Sequence, residues 1–117
     1  MEHEQFVRMQ RMSVAGLTTD SLKFDEIVGW SVASDRRTYA TMYCDFANTD
    51  LRERIKEIAV PALVLLEPHF KNIASIVNEQ YRNLYGVRVR YAGKGLHFVM
   101  FDDREWFLNE VTDFVKE

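Results

Sequence analysis

The sequence predicts an α/β domain in which helices come first and a short parallel sheet follows. Apolar residues recur at helical spacing over residues 1–57. The period then changes at Pro61–Leu66, a continuous apolar run that is typical of a parallel strand buried on both faces. Val87–Tyr91 alternates apolar and charged side chains, which indicates a strand with one face in water.

Four helices are predicted in the first half of the chain. The first covers Glu4–Val14 and ends before Gly16, and the second ends near Ala33. Residues whose short side chains can cap a first helical turn open the later three: Thr19 or Asp20, then Ser34-Asp35, then Asn48-Thr49-Asp50. The fourth of these helices is short.

The second half is predicted to be a strand, helix, strand, helix unit. The helix between the two strands runs from Phe70 to Leu84 and ends at Gly86. A right-handed crossover of this kind makes the two strands parallel. Asp102 or Asp103 is expected to cap the last helix, and Glu105 completes a capping box if Asp102 is the cap.

Composition bounds the class of protein. The 117 residues with a net charge of -3 predict one domain, 1–117, and give no basic surface for nucleic acid. Cys44 is the single cysteine, so no internal disulfide can form and a cytoplasmic location is expected. No apolar run reaches the ~20 residues of a membrane-spanning helix, and no signal peptide is recognisable at the start.

His97 lies after a glycine-containing loop, just past the carboxyl end of the second predicted strand. Open α/β sheets place their ligand crevices at this edge. The stretch Tyr91–Phe107 resembles the histidine-bearing loop of α/β-hydrolases, and Ile58–Leu66 resembles the penultimate strand of that family. Residues 1–57 resemble its cap region through Trp30, Ser34-Asp35 and Asp50-Leu51-Arg52. The chain thus resembles the C-terminal portion of an α/β-hydrolase, with 58–117 as the end of the core.

The resemblance implies that His97 is the general base of a serine hydrolase for ester or amide bonds. It also implies Glu67 as the orienting acid, since this is the acidic residue at the end of the penultimate strand. Alternatively, His97 only ties the loop to backbone carbonyls, and Glu67 only lies at a solvated strand end. No Gly-x-Ser-x-Gly segment is present; Gly29–Ala33, with Ser31, comes closest but lies in a predicted helix. The chain is therefore expected to be inactive alone.

A two-stranded sheet is marginal in water, and the Pro61–Leu66 strand is too apolar for a free edge. We expect a homodimer in which this strand pairs antiparallel with its two-fold mate. Alternatively, the first helices cover the edge, or a separate amino-terminal hydrolase half completes the sheet.

Weaker signals leave other functions open. Gly93-Lys94-Gly95 lacks the rest of a phosphate-loop pattern and is expected to be a flexible turn. His3, His69, His97 and Cys44 lack the short spacings of zinc ligands, so neither a metal nor a cofactor is expected. One further set of residues is expected to be core but could instead line a pocket: Trp30, Tyr39, Tyr43 and Phe46. A small-ligand-binding module and a structural or assembly unit are thus the alternatives to a hydrolase portion.

Overall fold

The computed structural model describes all residues, Met1–Glu117. They form two compact units, Met1–Asp50 and Leu51–Glu117. The boundary lies close to the predicted change from helices to sheet after residue 57. That the whole chain behaves as one domain stays a prediction.

The first unit contains three helices: α1 (His3–Ala15), α2 (Ser21–Ala33) and α3 (Arg36–Ala47). The side chain of Asp20 caps α2 by accepting hydrogen bonds from the amides of Leu22 and Lys23. Asp35 caps α3 by accepting from the amide of Thr38. The three predicted helices are confirmed, and these contacts confirm two of the proposed cap residues.

The core of the first unit lies between α1 and α2. Phe6 and Val14 of α1 and Ile27 and Val28 of α2 are buried. Helix α3 contributes no buried residue. The expectation that the aromatic residues form core is wrong, because each of them is exposed by a third or more of its surface: Trp30, Tyr39, Tyr43 and Phe46.

The second unit begins without the predicted fourth helix. Residues 51–54 form a turn, and Ile55–Glu57 is a single 3-10 turn. Side-chain ion pairs three residues apart, Arg54 with Glu57 and Lys56 with Glu53, suit this tight geometry. The backbone of Ile58 is extended, with φ -76° and ψ 109°, so the helical turn ends there.

The sheet has two parallel strands, β1 (Leu63–Leu66) and β2 (Arg88–Tyr91), with Leu63 opposite Arg88 and Leu66 opposite Tyr91. The predicted parallel pairing is confirmed. The expected burial of β1 on both faces is wrong, because all four of its residues keep intermediate exposure. Because only β2 pairs with β1, the side chains of β1 have same-face neighbours on one side and none on the other.

The connection between the strands is less regular than predicted. It begins as a 3-10 helix, Pro68–Ile73, continues as α4 (Ala74–Gln80) and reaches Gly86 through turns. Gly86 has φ +71°, which is the left-handed conformation expected of a glycine at the end of a helix. Val77 of α4 is buried.

The chain ends with the short helix α5 (Val99–Asp102) and with α6 (Arg104–Lys116). Two ion pairs join β2 to this end of the chain, Arg88 with Glu117 at 2.7 Å and Arg90 with Glu110 at 3.9 Å. None of the helices is both long enough and apolar enough to cross a lipid bilayer.

Candidate acid-base site at the carboxyl end of the sheet

The last backbone hydrogen bond of the sheet defines the candidate site. The amide of Ala92 donates to the carbonyl of Leu66 at 2.8 Å. Segments 67–69 and 93–98 therefore leave the two strands at the same edge. This is the edge at which parallel sheets place functional side chains.

Two carboxylates hold the loop 93–98. Asp102 Oδ2 accepts from the amide of Leu96 at 2.8 Å, and Asp103 Oδ2 accepts from the amide of Gly93 at 3.1 Å. The expectation that either side chain caps the last helix is wrong. Asp103 stands at the position before α6 but makes no capping hydrogen bond, and its backbone, at φ -135° and ψ 59°, is neither helical nor extended. Both carboxylates reach back to the loop instead.

Gly95 lies at the tightest point of this loop. Its φ is +91°, a conformation that side-chain-bearing residues rarely adopt. A Cβ at this position would collide with the side chain of Asp102. The glycine therefore serves both the turn and the close approach of the loop to Asp102.

His97 follows this loop and is exposed. Its ring packs edge-to-face on Phe98, with the ring centroids 5.2 Å apart. Its backbone carbonyl accepts from the amide of Val99 at 3.0 Å, which begins the turn into α5. The imidazole thus faces solvent on a loop whose backbone is fixed on the amino-terminal side by two carboxylates.

Glu67 has a different partner from the one that the resemblance implies. Its carboxylate accepts from the amide of His69 at 2.8 Å and lies 2.6 Å from His69 Nδ1. The Glu67 side chain is 16% exposed and the His69 side chain 67% exposed. The structure therefore pairs Glu67 with His69 rather than with His97. The sequence analysis did not predict this pair. The available signal was the order Glu67-Pro68-His69, since a proline between an acid and a histidine favours a turn that brings their side chains together.

The remaining sequence candidates have ordinary structural contacts. In Gly93-Lys94-Gly95, the amide of Gly93 is already bound to Asp103, so the loop does not present it to a phosphate. Ser31 lies within α2, where its Oγ donates to the carbonyl of Ile27 at 3.4 Å. No three His, Cys, Asp or Glu side chains are close enough together to hold a metal ion.

Comparison with known proteins gives partial matches. Over 71 residues, the chain is 28% identical to the proline iminopeptidase of Flavobacterium johnsoniae and 30% identical to that of Elizabethkingia meningoseptica. Each match covers 61% of this chain but 24% of the relative. These matches support a distant hydrolase-like relationship.

No protein-family model matches the chain, and no solved structure matches it. The chain spans about a quarter of the length of the curated relatives it matches. The helix-rich structure with two parallel strands is compatible with part of an α/β fold.

Proposed function

We propose that this chain is the C-terminal part of an α/β-hydrolase of the serine ester or amide hydrolase type, with His97 as its acid-base residue. The observation that carries the proposal is the exposed imidazole on a carboxylate-held loop at the carboxyl edge of a parallel strand pair. The partial similarity to two proline iminopeptidases supports the same class.

His97 would take the proton of a serine hydroxyl as the serine attacks the substrate carbonyl, and would return it to the leaving group. The serine and the amides that stabilise the oxyanion lie on another polypeptide segment. Loss of a serine nucleophile alone lowers the rate on the order of a millionfold, so the isolated chain is inactive.

Glu67 is the candidate orienting acid, although its carboxylate lies on His69 in this structure. Its place at the end of β1, beside the strand that leads to the His97 loop, supports this role. For Glu67 to orient His97, the Glu67–His69 pair must open when the missing part of the enzyme docks.

The unpaired side of β1 supports an assembly role for this strand. The sheet ends at β1, and the neighbouring residues Ile58 and Val60 are exposed. We propose that the Pro61–Leu66 strand pairs either with the same strand of a second copy or with the amino-terminal half of the hydrolase.

The function is tested with a fluorophosphonate probe, which labels activated serines. The isolated chain is expected to remain unlabelled. Labelling of Ser31 would contradict the proposal that the nucleophile lies elsewhere.

The role of His97 is tested by co-expressing the chain with the amino-terminal half of an α/β-hydrolase that carries a Gly-x-Ser-x-Gly segment. Probe labelling of that serine is expected to require His97 and to be lost in His97→Ala. His69→Ala is the matched control, because it removes an exposed imidazole from the same edge. Equal labelling of both variants would exclude His97 as the base.

A further inference from the structure

An open groove lies between α1 and α3 in the first unit and has a volume of about 840 Å³. This is within the range of roughly 300–1,000 Å³ that small-molecule sites occupy. Phe6 and Gln10, both buried, lie on the α1 side of the groove. Tyr39 and Tyr43 of α3 stack with ring centroids 6.3 Å apart, and Phe6 meets Tyr39 edge-to-face at 6.4 Å. The groove therefore offers aromatic surface for an apolar body.

The charges at the groove are of one sign. Arg36 and Arg37 line it, and no aspartate or glutamate does. The Arg36 guanidinium donates to the carbonyl of Met1 at 2.9 Å and lies 5.7 Å from the centre of the Phe6 ring. Neither arginine forms an ion pair with a carboxylate of the chain. Asp35, the acid that precedes them, has its carboxylate on the amide and hydroxyl of Thr38.

An arginine beside aromatic surface favours an anion with an apolar body, because its planar guanidinium binds a carboxylate through two parallel hydrogen bonds while the rings contact the apolar part. We propose that this groove binds a small-molecule carboxylate with an unbranched apolar body, of the medium-chain fatty acid class. The chain of the ligand lies on Phe6, Tyr39 and Tyr43, and its carboxylate pairs with Arg37 and with the outer edge of Arg36. This site is independent of His97 and of the proposed hydrolase role.

Cys44 provides a readout at the site itself. It is exposed, lines the groove and is the single cysteine of the chain. Decanoate is expected to slow the alkylation of Cys44 in the full chain by at least fivefold at saturation, with a dissociation constant below 1 mM. Decanol, which has the same apolar body without the charge, is expected to protect at least tenfold more weakly.

Arg37→Gln is the decisive variant, because the Arg37 side chain forms no hydrogen bond or ion pair within the chain that its loss would break. It is expected to weaken protection by decanoate at least tenfold and to leave protection by decanol within twofold. Arg8→Gln is the matched control, since it removes the same charge from an exposed position of α1 that does not line the groove. Arg8→Gln should leave the protection of Cys44 by decanoate and by decanol within twofold of the wild type. Circular dichroism melting should be unchanged in both variants.

Three outcomes would overturn the proposal. The first is the absence of saturable protection by decanoate below 1 mM. The second is equal weakening by Arg37→Gln and Arg8→Gln, which would mean a general charge effect. The third is protection of Cys44 that rises with protein concentration without ligand, because a second copy of the chain would then be the occupant.

Discussion

The carboxylate of Asp102 accepts a hydrogen bond from the amide of Leu96 at 2.8 Å, and this contact fixes the residue that precedes His97. The pairing spans six residues and closes the loop between β2 and α5. Asp102, which the sequence predicts to be a helix cap, thus holds the loop of the candidate site. Asp103 makes the equivalent contact with Gly93 at the other end of the loop.

Asp102→Ala is expected to loosen this loop. Removing the acceptor leaves a partly buried amide without its partner, which costs about 1–3 kcal/mol of unfolding free energy. The loss is measured by urea denaturation, and hydrogen exchange at the Leu96 amide should become faster. Glu105→Ala is the control: it removes an exposed acid from the same region and should change stability by less than about 1 kcal/mol. Unchanged exchange at Leu96 in Asp102→Ala would show that the contact does not order the loop.

Gly95→Ala and Gly86→Ala separate two costs at the glycine positions. Both glycines have positive φ, +91° and +71°. A Cβ at Gly86 would meet nothing within 4 Å, whereas one at Gly95 would collide with Asp102. Gly86→Ala is therefore expected to lower the unfolding free energy only by the cost of the left-handed backbone, about 1–2 kcal/mol. Gly95→Ala should lower the unfolding free energy further, as measured by the same urea denaturation. An equal decrease in both variants would mean that the Asp102 side chain moves aside freely.

The local parts of the fold were predictable because their causes lie within a few residues. Asp20 and Asp35 cap helices through amides two or three positions ahead, which sequence spacing shows directly. The parallel pairing of β1 and β2 followed from the helical crossover between them.

The contacts at the candidate site depend on geometry that spacing does not show. Asp102 and Asp103 look like caps, yet the short α5 directs both carboxylates back to the loop. The resemblance predicts that Glu67 orients His97, but the turn after β1 places His69 against the Glu67 carboxylate. The apolar stripe of α3 predicts core, yet α3 has no buried residue. Periodicity identifies an apolar face but does not show which element covers it.

Acid should weaken the start of α3 through Asp35. The hydrogen bond from the Thr38 amide is the main cause that holds the pKa of Asp35 below its ordinary value of 3.8, and the Thr38 hydroxyl adds to it. Because the folded pKa is the lower one, the stabilisation is fully present above the unfolded value and is lost as pH falls through the folded value.

In Asp35→Asn the side chain can still cap but no longer titrates. The variant should therefore lose less helicity than the wild type when pH is lowered from about 5 to about 2. The measurement is circular dichroism at 222 nm, with exchange at the Thr38 amide as the local readout. Identical acid profiles at Thr38 in both proteins would exclude Asp35 as the titrating group.

The outer edge of β1 gives the sharpest test of assembly. The carbonyls of Ala62 and Leu66 accept from the amides of Arg88 and Ala92 in β2. Since backbone groups alternate in direction along a parallel strand, the amide of Leu65 points away from β2. If two copies pair through this edge, Leu65→Pro removes a hydrogen bond between copies while the β1–β2 ladder remains, because proline is tolerated at a sheet edge.

Light scattering after size exclusion is expected to give a dimer for the wild type at tens of micromolar and a monomer for Leu65→Pro. Leu65→Ala is the matched control, because it removes the same apolar side chain but keeps the amide; it should weaken the dimer without abolishing it. Equal dissociation of both variants would assign the contact to the side chain rather than to strand pairing. A wild-type monomer at this concentration would exclude the homodimer.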